Sequence, residues 1–411
     1  MAARALLAFL LAEQEDADDR ARAAIRRFRR STKTSSRSQK SSTEPEADAA
    51  CSKPVKAEPP PTKRHKTGVR CAGDYLRKGG MAAFYNLSDF HTHFGMTRTQ
   101  VEDLLNQLQP HYPYERGSKL PLENVVLASL WVLSSQESYR VIAERFQTGK
   151  SVICASLHTF CNLVSGNLEN HIRWPVVTAV KGTVRGFEEL GFPGTLGAMG
   201  AFHITISKPK DVEEPNEYMK ETGVYYTTLL AVCNNKYKFT YVNVGHPGAF
   251  DNAEVFRRCE LYKAFQEDPH SLLPNNFHIG NKSYSYHILA DGRFPLSEYV
   301  MTPYKDDHHL NAKEQEYNKR QLSAVCSISK AIGVLKARFT RLKSLPMQHL
   351  AQCSVAIKAC CILHNICVHT SDVDIYGAND MTNEMTTCTP IGFESNVTGE
   401  NKRKAIADSF S

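Results

Sequence analysis

Arg140, Arg145 and Lys150 lie close together in the stretch SYRVIAERFQTGKSVICASLHTFCNLV. Cations at that spacing, with Ser151 beside them, have the chemistry to hold phosphate oxygens, which position a protein on a duplex without reading its bases. A second basic run, Lys63, Arg64, His65 and Lys66 in PPPTKRHKTGVR, has the form of a nuclear import signal, or equally of a solvated charge run. Just before it, VKAE has the pattern of a sumoylation acceptor, with Lys56 as the modified residue. Twelve cysteines offer thiolates, but pairs such as Cys360-Cys361 lack the CxxC partner or His-x-x-x-His spacing of a zinc site. Reduced thiols in an intracellular protein are the expectation.

Phosphate-binding cations need a firm element beneath them. Tyr139 to Phe146 reads as one helix, QTGK as a turn, and Ser151 to Leu163 as a second helix capped by Ser151. Two helices joined through a glycine turn match a helix-turn-helix, whose second helix enters a major groove, and match a plain helical hairpin equally well. The second helix is expected to expose Lys150, Ser151, Ser156 and His158. Upstream, Ser88 and Thr97 are expected N-caps, and Val101, Leu104, Leu105 and Leu108 recur at helical spacing before a further helix, PLENVVLASLWVLSS. From residue 190 the texture changes to β-branched and aromatic runs. FHITIS, GVYYTTLLAVCN and KFTYVNVG read as three successive strands. A helix, DNAEVFRRCELYKAF, a strand ending at Asp291 and a long helix from near Asn311 past Lys336 complete a mixed α/β order.

Composition sets the frame for these elements. Residues 1–70 hold 16 Lys and Arg against 9 Asp and Glu, while the remaining chain holds 34 of each kind, so the positive excess sits in the head. Residues 1–75 read as a basic, largely disordered head, because Ser, Pro, Lys and Glu without large apolar residues cannot offset the entropy of ordering. Its opening, MAARALLAFLLAEQED, reads as an amphipathic helix rather than a signal peptide. No run reaches the roughly 18 apolar residues of a membrane span, so a soluble chain with no membrane partner is expected. The expected divisions are a helical region over 80–180, an α/β region over 190–370 and a flexible tail over 371–411, with Lys402 to Lys404 open as a second import signal.

The ordered segments GAMGAFHI, VNVGHPGAFDNAEVF, LADGRFPLSEYVMTPY, YNKRQLSAVCSISKAIGVLKARF and ACCILHNIC resemble the PIF/Harbinger DNA transposases and the nuclease-like proteins domesticated from them, over about residues 85–370. The resemblance implies an RNase H-like DDE mixed sheet flanked by helices, preceded by an all-α helix-turn-helix domain. It also implies carboxylates converging on two divalent metal ions that activate water against a phosphodiester. Against the family's pattern, the first-strand aspartate falls on Gly200, the acid after the GxPG turn on Asn252 and the final-helix glutamate on Ser329. Asp291 alone is retained.

One carboxylate cannot hold two magnesium ions, which require near-octahedral oxygen ligands. The expectation is therefore a domesticated, catalytically inactive transposase that needs no cofactor, bound to DNA or chromatin in the nucleus, with the cytoplasm as a second compartment. The resemblance further implies a Myb/SANT-like protein partner. The alternative is a metal-dependent DNA endonuclease with a rearranged acidic site, in which Asp291 joins Asp251 or Glu254 around Mg²⁺ or another divalent cation. Asp251 and Glu254 also have the spacing of a capping box at a helix start. A one-residue displacement on a helix turns a side chain by about 100°.

Overall fold

The computed structural model describes residues 87–112, 120–274, 277–305, 309–369, 371–376 and 395–410. The basic head, with Lys56, Lys63, Arg64, His65 and Lys66, lies outside the described residues. The described residues belong to one compact unit.

Among the described residues, six α-helices lead into the sheet: α1 (Leu87–Phe94), α2 (Arg98–Leu108), α3 (Leu122–Ser134), α4 (Tyr139–Arg145), α5 (Lys150–Asn167) and α6 (Val177–Glu189). Thr97 caps α2 in a reciprocal capping box, its hydroxyl accepting from the Gln100 N–H while the Gln100 side chain accepts from the Thr97 N–H. Ser88 instead lies inside α1. Helix α3 is buried from Leu122 to Leu133 except at Glu123 and Asn124, so it forms the centre of the helical layer rather than a surface helix.

The sheet holds β1 (Thr195–Ile206), β2 (Tyr225–Cys233), β3 (Phe239–Pro247), β6 (His287–Leu289) and β7 (Val300–Met301) in the order β3-β2-β1-β6-β7. The first three strands are antiparallel neighbours, and β6 and β7 join them in parallel. Gly197 is required where β2 passes close to β1, since a Cβ there would stand 2.6 Å from Val232 Cγ1. The expected three strands are present, and β1 begins before the predicted FHITIS, so GAMG lies within the strand. A small hairpin, β4 (Phe277–Ile279) with β5 (Lys282–Tyr284), was not predicted.

Between β3 and the hairpin, the expected single helix is three: α7 (Asn252–Arg257), α8 (Glu260–Glu267) and α9 (Pro269–Leu272). The long helix α10 (Ala312–Arg338) starts at Asn311, which forms a capping box with Glu314, and it packs against β1, β2 and β6. Helix α11 (Leu350–Cys367) is long and apolar enough to cross a membrane by length and composition, contrary to the sequence expectation. It is a core helix here, packed between α5 and β3.

The helical and α/β regions are pinned together. Arg341 donates to the Val132 and Glu137 carbonyls, Thr340 to that of Ser134, and Arg338 to that of Gly95. The predicted flexible tail is also corrected in part, because a short helix α12 (Asp372–Ile375) and a further helix α13 (Val397–Asp408) fold onto this body. Lys402 is fully buried and donates to the Ser285 and Glu298 carbonyls, while Arg403 donates to the Pro303 carbonyl and lies over the Tyr304 ring. Two of the three residues of this basic triplet are therefore structural contacts of the fold.

Candidate functional site

Four sequence positions are expected to carry the acids of a metal centre, and each is built differently. Gly200 lies on β1 opposite Ala231 of β2. A Cβ at Gly200 would stand 2.7 Å from Phe202 Cε2 and 3.4 Å from Ile328 Cγ2. Residues two apart on a strand share a face, so the Phe202 ring, with Ile328 from α10, fills the space a carboxylate would need.

Asp291 follows β6 by two residues and is buried. Arg293 grips it from the same loop. Its Nη2 lies 2.7 Å from Oδ2 and its Nε 3.1 Å from Oδ1, and the Arg293 backbone N–H donates to Oδ1 at 2.8 Å. This is a two-pronged, charge-assisted pairing that engages both carboxylate oxygens.

Asn252 opens α7, and Ser329 lies on α10; they are 6% and 3% exposed. Asn252 Nδ2 and Ser329 Oγ are buried with no hydrogen-bond partner. Asp251 caps α7, its Oδ1 accepting from the Glu254 N–H at 2.7 Å, and the Glu254 carboxylate pairs with Arg258 at 2.5 Å and Arg257 at 3.6 Å. These two acids hold a helix start. Among the described residues, no three His, Cys, Asp or Glu side chains gather into a group able to hold a metal ion. An apolar ring at one position, neutral side chains at two and an arginine-bound carboxylate at the fourth do not fit a two-magnesium centre.

Cations gather beside these positions instead. His203 on β1 stands across from Thr228 on β2. Its Nε2 lies 2.6 Å from Lys220 Nζ and its Nδ1 3.3 Å from Thr228 Oγ1, which donates in turn to the Pro247 carbonyl. That arrangement fits a neutral ring with the proton on Nδ1, accepting from the lysine at Nε2. Burial, followed by the charges of Lys220, Arg293 and Lys336, pushes the His203 pKa down to about 4. Lys336 on α10 reaches the His203 carbonyl at 3.4 Å. Burial and then the Arg293 charge also lower the Lys220 pKa. Three cations thus bear on His203, from the loop before β2, the loop after β6 and α10.

The helix pair α4 and α5 is joined by a turn in which Gln147 takes a positive φ of 50°. Gly149, not Ser151, is the N-cap of α5, with no side-chain cap. Arg140, Lys150 and Ser151 are exposed. Arg145 is held by Glu137 at 2.7 Å and lies over the Trp131 ring. Ser156, expected outside, is buried, and His158 is half-buried, because α5 packs against α3 and α11. Its first turn carries exposed polar groups, Lys150 and Ser151.

Residues 199–365 match the DDE superfamily endonuclease family. That span includes all four aligned positions, and it takes in most of the five-stranded mixed sheet and its flanking helices. It is 27% identical over 262 residues to "Protein ALP1-like" of Arabidopsis thaliana, covering 62% of this chain and 63% of that protein, less than two thirds of its length. It is 24% identical over 267 residues to "Putative nuclease HARBI1" of Mus musculus, covering 64% and 72% of the two chains. Over 271 residues it is 24% identical to the Homo sapiens protein of that name, again covering 64% and 72%. No solved structure matches the chain.

Proposed function

We propose that this chain is a domesticated Harbinger-type protein that has lost metal-dependent cleavage and acts in the nucleus as a DNA- or chromatin-associated binding protein. The observation that carries the reading is the pairing of both Asp291 oxygens with Arg293, at the one acid position that remains acidic. Relatives named as nucleases support descent from a phosphodiester-cleaving ancestor, and the neutral Gly200, Asn252 and Ser329 support loss of that step. No divalent cation is needed for the remaining role.

Binding would draw on the basic head and on Arg140, Lys150 and Ser151 at the start of the helix pair, through phosphate contacts whose strength falls steeply with salt. The Lys63 to Lys66 run would supply nuclear entry, Lys56 would be a modification site in the same segment, and a Myb/SANT-like protein would be the partner. A mobility shift of the full chain on a labelled duplex, in chelator and across a salt series, tests the binding. Retardation at low salt that weakens as salt rises supports the reading, and no retardation at low salt contradicts it.

A further inference from the structure

His203 shares one face of β1 with Ala201 and Thr205, because side chains alternate along a strand, and Gly200 and Phe202 lie on the other. Its contact with Lys220 is therefore separate from the Gly200 position. Lys220 opens a tight turn, in which its N–H donates to the Val224 carbonyl at 3.1 Å and its carbonyl accepts from the Gly223 N–H at 2.8 Å. Its neighbour Met219 pairs with Tyr225 as an antiparallel bridge. This turn holds the half-buried ammonium 2.6 Å from His203 Nε2 and 5.8 Å from the centre of the Tyr226 ring. No carboxylate among the described residues pairs with it, and the flanking Met219 and Glu221 are exposed.

The imidazole is set to accept from that amine. Thr228 Oγ1 has a single proton and donates it to the Pro247 carbonyl, so at 3.3 Å from His203 Nδ1 the hydroxyl oxygen accepts from the ring. The lone pair of Nε2 then faces Lys220. Burial keeps the ring neutral, and burial followed by the Arg293 charge lowers the Lys220 pKa, so the free base and the free amine are both favoured. A nucleophile within hydrogen-bond reach of a base, with a third group orienting that base, is the arrangement that activates a nucleophile.

We propose that Lys220 is a modification site, an activated amine that takes an acyl group from acyl thioesters, with His203 as its proton acceptor and Thr228 as the residue that positions the ring. Nζ attacks the thioester carbonyl, so that an N–C bond forms and the C–S bond breaks. The proton shed by Nζ passes to His203 Nε2 and then to the departing thiolate, leaving an amide and a free thiol. As the amine becomes neutral, the ring loses a cation that opposes its protonation. Acylation removes one positive charge and with it the cation over the Tyr226 ring. The reaction involves no DNA, so it stands apart from the binding reading.

The test incubates the full chain with acetyl-coenzyme A in mildly alkaline buffer and follows acetylation of each lysine by mass spectrometry. Lys181 and Lys343, both exposed, are references within the same molecule. Lys220 is expected to acetylate at least about tenfold faster than either, less than a positioned base can supply because this ring is tuned to a low pKa. In His203→Gln, which keeps an acceptor without a base, and in Thr228→Val, which frees the ring, the Lys220 rate should fall to that of the references while theirs stay unchanged. Wild-type Lys220 acetylated no faster than Lys181 and Lys343 overturns the proposal, and this comparison needs neither variant to fold. A fast Lys220 that stays fast in His203→Gln also overturns it.

Discussion

Arg293 holds both carboxylate oxygens of Asp291, at 2.7 Å and 3.1 Å, from two residues further along the same loop. The one acid among the four aligned positions is thereby committed to an ion pair within its own loop. Asp291 is buried, and its partner is about one-third exposed. Truncation of the arginine would leave a buried carboxylate to be desolvated alone.

Arg293→Ala is therefore expected to destabilise the fold by about 1–3 kcal/mol. Denaturant unfolding at neutral pH measures it. Asp291→Asn together with Arg293→Ala removes the orphaned charge and should recover part of the loss.

An acid placed at Gly200 is also expected to be poorly tolerated alone. The Phe202 ring lies 2.7 Å from where a Cβ at Gly200 would stand, so Gly200→Asp must displace a buried ring and bury a carboxylate beside Ile328. A loss of about 2–4 kcal/mol follows from overpacking plus an unpaired polar group. Gly200→Asp with Phe202→Thr should be more stable than Gly200→Asp alone, read as a higher melting temperature.

Acid should weaken the fold through its buried histidines. His203 and His364 are held neutral mainly by burial, with pKa values lowered to about 4 and about 3, against 6.5 when unfolded. Above pH 6.5 both states are neutral and nothing is lost. As pH falls from 6.5 toward 4 the unfolded chain binds protons that the folded chain refuses, so stability drops. Urea midpoints should fall between pH 7 and pH 4.5, and His203→Gln should reduce the drop.

The first three strands and the long helix from near Asn311 past Lys336 were legible because each is a local pattern, β-branched and aromatic runs in one case and a long helical run in the other. The helix pair was legible as helices but not in its exposure. Ser156 lies on the face that meets α3 and α11, a tertiary fact that helical spacing alone does not carry. The tail misled for a related reason. Polar composition suggested flexibility, while α13 is fixed by Lys402, whose ammonium is satisfied by backbone carbonyls far away in sequence.

At the candidate site, the neutral residues Gly200, Asn252 and Ser329 were readable, and their surroundings were not. Arg293 stood in plain view two residues from Asp291, in LADGRFPL, and its spacing was the available signal for the ion pair. No sequence signal linked Lys220 to Lys336, because their common neighbour is a strand residue, His203, reached only through the fold.

Loss of metal-dependent cleavage can be measured in a nicking assay. Full-length protein is incubated with labelled duplex in Mg²⁺ and in Mn²⁺, beside Asp291→Ala. No nicking by the wild type above the Asp291→Ala background is expected with either metal. Metal-dependent nicking by the wild type that disappears in Asp291→Ala would contradict it.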